Sequence, residues 1–424
     1  MIDGRMVREQ AGVLREGVRR RGSLDKHGPL IDRAEELDRK RRQTIQAVEE
    51  RKAARNAASQ EVARKKKAGE DAGDLVASAR ELGVEIARLE AELAQSQGEF
   101  DAILYELPNL TLPEVPEGDA SANVVVASWG EPRPAGSVKP HWEIAERLGL
   151  LDLPRGAKIS GSGFIVFRGQ GARLERALMN FCVDLHTREF GYEEVQVPLF
   201  VNRDAMVGTG QLPKFEEDMY ALRDDPLFAI PTAEVPLTNL FRDEILDGAR
   251  LPCALTAFSA CFRREAGSAG KDTRGLLRLH QFDKVELVRI TAPEDSPAQH
   301  ELLTSHAEAV LQRLGLPHRR LLLAAGDTGF SNAKTYDLEV FAPGVGAWLE
   351  VSSCSNYGDF QARRANIRYR PAAGEKPRFV HTLNGSGMGF PRTIAAILEH
   401  YQQADGTVTV PEVLRPYVGA DVIR

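Results

Sequence analysis

The chain is 424 residues long, 42% apolar and 27% charged, with a formal net charge of −6. That length accommodates two or three domains around a large core, and the composition is that of an ordinary globular chain, which excludes a disordered or fibrous one. The opening residues, MIDGRMVREQ, carry no apolar signal-peptide core, and no apolar run is long enough to span a bilayer, so a cytoplasmic protein with no membrane partner is expected. Four cysteines, Cys182, Cys253, Cys261 and Cys354, are scattered without a CxxC pair. Reduced, buried thiols are expected there, and a structural zinc site is not.

Charge is unevenly placed. Residues 1–67 hold 19 basic and 11 acidic side chains, whereas residues 68–106 hold 2 basic and 10 acidic. From about 30 to 106 the chain reads as two proline-free helical segments that part near Ala68 to Gly73. The second carries a heptad seam of Leu75, Ala79, Leu82, Ile86, Leu89, Leu93, Ser96, Phe100, Ile103 and Leu107. Its steps alternate between four and three, as a supercoiled helix pair requires. Leu37, Thr44, Val48, Ala58 and Val62 form a weaker stripe on the first. A long antiparallel helical hairpin, a coiled coil, is expected over 1–110. Arg51, Lys52, Arg55, Arg64, Lys65, Lys66 and Lys67 run toward its tip. Two readings stand side by side: the basic helix neutralises its acidic partner, or the stripe meets phosphates.

Pro108 and the prolines from Pro113 to Pro116 end the second helix, and 111–139 reads as a linker. From about 140 to 424 helices and strands mix. Ala172 to Gly191 reads as an amphipathic helix, and Tyr192 to Val201 as a strand. Ala260 to Glu265 and His280 to Ile290 alternate like antiparallel strands. Pro297 to Leu314 reads as a helix. Thr335 to Val340, Ala347 to Ser352 and Ala365 to Tyr369 read as strands, and Thr393 to Gln402 as a closing helix. The rhythm of a parallel sheet is missing, so an α+β domain with a mostly antiparallel sheet flanked by helices is expected.

Phe262 to Glu286, FRREAGSAGKDTRGLLRLHQFDKVE, concentrates arginines, acids and glycines. Guanidinium forks hold phosphates and carboxylates with paired hydrogen bonds. The turn Ser268 to Asp272 suggests a loop that closes over a ligand. In PTAEVPLTNL, Thr232 and Glu234 alternate on an extended segment, a hydroxyl and a carboxylate suited to a small polar substrate; a helix cap is the bland alternative. Glu350, Ser352, Ser353 and Ser355 place hard oxygens along one strand, fit for magnesium with a triphosphate. Gly385, Ser386, Gly387 and Gly389 let a backbone approach a ligand closely, and Arg392 follows at the start of a helix, where an anion satisfies both the guanidinium and the helix end.

Together these stretches resemble the class II aminoacyl-tRNA synthetases: motif 1 up to Pro198, motif 2 from Phe262 to Glu286, motif 3 from Gly385 to Glu399. TAEVPLTNL, CFRREAGSAGKDTRGLLRLHQFDKVEL and SCSNYGDFQARRANIRYR are similar to the bacterial-type seryl-tRNA synthetases in particular, over nearly the whole chain including the helical arm. The resemblance implies serine–tRNA ligase activity: L-serine and ATP give seryl-adenylate, and the seryl group passes to serine tRNA, with selenocysteine tRNA left open. It implies a catalytic domain at 140–424, with Arg263, Glu265 and Arg392 as catalytic residues. It implies a serine pocket of Thr232, Ala233, Glu234, Arg263, Glu286, Asn384 and Ser386, with Glu286 on the substrate hydroxyl. The implied ATP contacts are Arg263, Arg264, Glu265, Leu279, Phe282, Glu350, Val351, Ser352, Ser353 and Arg392. Glu350 and Ser353 hold Mg²⁺, and no zinc is implied. The resemblance further implies that the arm grips serine tRNA, that the chain forms a homodimer and that DNA is not a partner. The alternative is a synthetase-like paralogue, either an inhibitor-tolerant second copy or a ligase that loads a carrier protein. Motif 3 reads GSGMGFPR, where many members have GSGLAVGR; proline is at home in a first helical turn.

Overall fold

The computed structural model describes residues 1–266 and 274–424, so the expected loop Ser268 to Asp272 lies outside the described residues. The chain divides into two compact units, Ile2–Pro108 and Asn109–Arg424.

The first unit is helical: α1 (Gly4–Glu9), α2 (Ala11–Arg20), α3 (Leu24–Ala68) and α4 (Gly73–Glu106). α3 ends where Gly69 takes a left-handed conformation, φ 75°, that a side chain would resist. Asp71 then accepts a hydrogen bond from the Gly73 amide at 2.9 Å and starts α4. Arg33 pairs with Glu99, Arg51 with Glu85 and Lys52 with Glu90. The early Arg33 is paired near the end of α4, whereas Arg51 and Lys52, farther along α3, are paired nearer its start, so the two helices run antiparallel. Ile86, Leu89, Ser96, Phe100 and Ile103 of α4 are buried against Ile31, Ala34, Leu37, Thr44 and Val48 of α3. Leu75, Ala79 and Leu82, nearer the tip, are only half-buried, so the seam thins outward.

The second unit is built on eight strands: β1 (Val124–Trp129), β2 (Glu193–Glu194), β3 (Cys253–Phe262), β4 (Gln281–Thr291), β5 (His318–Leu322), β6 (Lys334–Ala342), β7 (Ala347–Asn356) and β8 (His381–Gly389). Their order across the sheet is β1-β5-β6-β7-β8-β4-β3-β2. Every neighbouring pair is antiparallel except β2–β3, which is parallel. The fold is therefore α+β with a mostly antiparallel sheet. α5 (Gln170–Asp184), α6 (Glu234–Asn239), α7 (Ser296–Arg313), α8 (Phe360–Ala365) and α9 (Phe390–His400) flank it. The main core joins α5, α7 and α9 to the strands through residues such as Leu178, Leu303, Ile394, Leu287 and Leu383.

Three local expectations need correction. Tyr192 to Val201 is not one strand: pairing covers Glu193–Glu194, and a separate strand forms at Phe200–Asn202. Pro198 between them has no N–H to give a ladder. Ala365 to Tyr369 is not one strand either. Ala365 closes α8, Asn366 turns at φ 52°, and only Arg368–Arg370 is extended. Third, Thr232 and Glu234 do not alternate on an extended segment. Ala233 is already in helical geometry and Glu234 opens α6, whose Pro236 sits in the first turn, where no N–H is needed.

Phe100 is 3% exposed and lies beneath the guanidinium of Arg41, 4.5 Å from its ring centre. Phe100→Ala leaves a cavity in the buried seam between α3 and α4. The arm's urea unfolding, followed by helical circular dichroism of the whole chain, is expected to lose about 3–5 kcal/mol.

Candidate active site

Strand register places the site. β8 pairs with β4 so that Ser386 lies opposite Glu286, and Asn384 is two residues away on the same face. The pairing slips at Gly387, a bulge on a strand lined with small residues. Glycine is required there, because an added Cβ would sit 2.7 Å from His186 Nε2 and 3.1 Å from Val285. A second slip, between Glu350 and Ser352 opposite β6, re-aims β7. Glu350, Ser353 and Ser355 consequently face one cavity, while Ser352 turns away and donates to the Ser386 carbonyl at 2.6 Å.

Two cavities result, of about 320 and about 530 Å³. They share Arg263, Glu265, Arg278, Lys284, Glu350 and Ser386 as walls and so form one continuous cleft. The larger holds a buried polar ring. Glu234 and Glu286 are both buried, Glu286 completely. The Thr232 hydroxyl donates to Glu286 Oε2 at 2.8 Å and accepts from the Glu234 amide at 3.2 Å. Thr232 is thus a helix cap and a cavity residue at once. The Asn384 amide donates to Glu234 Oε2 at 2.9 Å and to Glu286 Oε1 at 3.1 Å. Gln361 donates to Glu234 Oε1 at 2.6 Å, and the Tyr357 hydroxyl to Asn384 Oδ1 at 2.8 Å. Burial pushes the Glu234 carboxyl above its ordinary range, and the bond from Gln361 pulls the other way.

Lys284, on the same face of β4 as Glu286, forms an ion pair with it and donates to the Thr232 hydroxyl at 2.9 Å. Burial pushes its ammonium down to about 8.

The smaller cavity is lined by arginines. Arg263 lies over the Phe282 ring at 5.2 Å, and its Nε donates to the Pro231 carbonyl at 3.3 Å. Arg392, in the first turn of α9, donates to the carbonyls of Leu277 at 3.0 Å and Glu350 at 2.9 Å. Its guanidinium is thereby fixed in direction before any ligand arrives. Glu265 sits at φ 53°, a left-handed conformation that costs a non-glycine residue about 1–3 kcal/mol, and it pairs with Arg278. Leu279 and Val351 supply apolar walls.

The structure thus gathers Thr232, Glu234, Arg263, Glu265, Leu279, Phe282, Glu350, Val351, Ser353, Asn384, Ser386 and Arg392 around one cleft, with Glu286 fully buried behind Thr232 and Asn384. Ala233 is buried beneath it, Arg264 is exposed, and Ser352 faces away. Sequence reasoning missed Lys284 and Arg278, although both lie between Phe262 and Glu286. It also missed Gln361 and Tyr357, which had no local signal and reach the ring only through α8 and the end of β7. On the arm, Arg51, Lys52 and Arg64 are paired with Glu85, Glu90 and Glu61. Arg55, Lys65, Lys66 and Lys67 form no ion pair among the described residues.

The chain is similar to known proteins over its whole length. Residues 1–111 match the family model of the seryl-tRNA synthetase N-terminal domain, and residues 215–401 that of the tRNA synthetase class II core domain (G, H, P, S and T). A serine–tRNA ligase of Gemmatimonas aurantiaca is 64% identical over the full length of both chains, and one of Geobacillus kaustophilus 55%. The crystal structure of a seryl-tRNA synthetase from Pyrococcus horikoshii, complexed with ATP, superposes with a TM-score of 0.96 at 38% identity, covering 100% of this chain and 99% of that one. A cytoplasmic serine–tRNA ligase from Naegleria fowleri, in complex with AMP, gives 0.90 at 29% identity with the same coverage.

Asn384→Asp would put a third carboxyl beside Glu234 and Glu286. Burial and like charge raise its folded pKa above the unfolded value of about 4. The native state then holds the extra proton, so the variant is expected to lose stability progressively as pH rises from about 4 toward neutrality, relative to the parent chain. Melting temperatures at acidic and neutral pH check this.

Proposed function

The chain belongs to the seryl-tRNA synthetase family and is an ATP-dependent serine–tRNA ligase, and from that premise we propose which of its side chains carry each step. The observation that supports the assignment most is the buried ring of Glu234, Glu286, Thr232 and Asn384, continuous with an arginine-lined cavity. A small zwitterion with a hydroxyl fits the first, and a nucleotide the second. Thr232 and Glu234 take the substrate ammonium. Glu286 accepts the serine hydroxyl, with Asn384 and Ser386 beside it. Arg263 bridges the substrate carboxylate and the α-phosphate. Glu265 reads the adenine amino group, Phe282 stacks on the base, and Arg392 holds the γ-phosphate.

A serine carboxylate oxygen attacks the α-phosphorus in line, forming a P–O bond as the bond to pyrophosphate breaks. Positioning and charge neutralisation carry the step, with no covalent enzyme intermediate. A ribose hydroxyl at the tRNA 3′ end then attacks the seryl carbonyl, AMP leaves, and the seryl ester remains.

Magnesium suits the corner formed by Glu350 and Ser353. Asp337, half-buried, lies across from Ser353 on β6, with a buried Oδ1 lacking any hydrogen-bond partner among the described residues. Burial, and then the charge of Glu350, push its carboxyl well up, so this corner is short of positive charge. Glu350 and Ser353 would hold the ion together with phosphate oxygens, and it would supply charge neutralisation on the triphosphate.

The helical unit takes the tRNA, with the unpaired tip cations Arg55, Lys65, Lys66 and Lys67 on its phosphates. The chain works as a cytoplasmic homodimer.

Arg263→Ala is expected to lower serine-dependent ATP–pyrophosphate exchange at least about 10²-fold while tRNA binding persists; exchange at the parent rate would show that Arg263 does not bridge the carboxylate and the α-phosphate. Replacing Lys65, Lys66 and Lys67 together by alanine should leave exchange intact, weaken tRNA charging, and reduce the salt slope of tRNA binding by about two to three.

A further inference from the structure

Lys284 is the only lysine among the described residues that line the larger cavity. Its ammonium is buried at 6% exposure and touches Glu286 and Thr232. An ionised carboxylate offers about four acceptor positions. At Glu286, Oε2 receives Lys284 and the Thr232 hydroxyl, and Oε1 receives Asn384. These contacts leave one of its acceptor positions unfilled. Glu265 is paired with Arg278, and the other charged residues on the cavity wall are Asp218, Glu234 and Glu350 against Arg263 and Lys284, so acid is in excess and the cation on Glu286 has to come from Lys284. Arg263 lies on the cleft wall shared with the arginine-lined cavity, and Glu234 is held by Gln361 and Asn384 rather than by a cation. Glu286, by contrast, already has its cation.

We propose that Lys284 is a specificity-determining residue: by neutralising Glu286, its ammonium makes that carboxylate accept a neutral hydroxyl and reject an amino acid with a cationic group at the same position. The proposal rests on the serine reading of this cavity. Without Lys284, Glu286 would be a second uncompensated carboxylate, able to capture an ammonium as well as Glu234 does. With it, a cationic side chain meets a like charge in a dry pocket, which is strongly unfavourable.

The probe is L-2,3-diaminopropionate, which is serine with its hydroxyl replaced by an amine. ATP–pyrophosphate exchange is measured with each amino acid at mildly acidic pH, low enough to protonate both amines of the probe, and there Lys284, pushed down by burial only to about 8, keeps its proton. The parent chain is expected to use serine and to show little exchange with the probe. Lys284→Met, similar in length and uncharged, is expected to lower the serine-to-probe ratio of kcat/KM at least about tenfold. A ratio unchanged in Lys284→Met, with both amino acids losing equally, would assign the residue to structure alone and overturn the proposal. If Lys284→Met does not show the parent's cooperative melting, Lys284→Gln, which keeps a donor for Glu286, carries the same comparison. Use of the probe by the parent chain as readily as serine would overturn the proposal without any variant. Absence of serine-dependent exchange in the parent would instead remove the serine reading and the proposal with it.

Discussion

Two carboxylates, Glu234 on the pocket wall and Glu286 buried behind it, lie out of water, and much of the second unit serves to make that tolerable. A buried charge without donors or a counter-ion costs several kcal/mol. Here donors converge from every side: Thr232 at the mouth of α6, Gln361 from α8, Asn384 from β8 and Lys284 from β4. None of these elements can shift far without orphaning a carboxylate oxygen. The antiparallel pairing of β4 with β8 supplies the frame, because it puts Glu286 and Ser386 opposite each other. The bulge at Gly387 and the one between Glu350 and Ser352 aim neighbouring side chains into the cleft.

The cleft is divided electrostatically. Its larger part holds two buried acids, Glu234 and Glu286, whose oxygens are hydrogen-bonded, with Lys284 as the cation on Glu286. Its smaller part carries guanidinium groups whose directions are fixed by backbone carbonyls, as with Arg392 on Leu277 and Glu350. Such preorganisation suits phosphoryl chemistry, in which the protein contributes placement and charge rather than a nucleophile. Strain concentrates at the same place, where Glu265 holds a left-handed backbone and pairs with Arg278. On the helical unit the division is by pairing. Arg51 and Lys52 are neutralised by Glu85 and Glu90 of α4, while Lys65, Lys66 and Lys67 form no ion pair among the described residues.

The sequence made the largest features legible through periodicity. The alternating four-and-three seam from Leu75 to Leu107 located the hairpin, and Gly69 and Gly73 marked its turn. Arginine-rich and glycine-rich stretches pointed to the cleft because few structural duties need those residues together. What stayed hidden depended on tertiary geometry. Thr232 and Glu234 read as extended because PTAEVP has a strand-like beginning, yet the first turn of α6 tolerates Pro236 and begins at Glu234. Ser352 and Ser353 could not be told apart, since a bulge decides which one faces the cleft. Lys284 sat between Phe282 and Glu286, two residues whose expected roles in base stacking and hydroxyl recognition masked its own. Gln361 and Tyr357 carry no local signal; only the packing of α8 beside β8 brings them to Glu234 and Asn384.

If the buried ring reads a hydroxyl, an amino acid that merely lacks it should be rejected far beyond what size alone allows. The measurement is the ratio of kcat/KM for serine to that for alanine in ATP–pyrophosphate exchange. Alanine fits the same space but leaves an acceptor of Glu286 unpaired, so a ratio on the order of 10⁴ or more is expected. A ratio of only about ten to a hundred, the discrimination an apolar pocket achieves, would contradict the view that Glu286 and its donors form the recognition element.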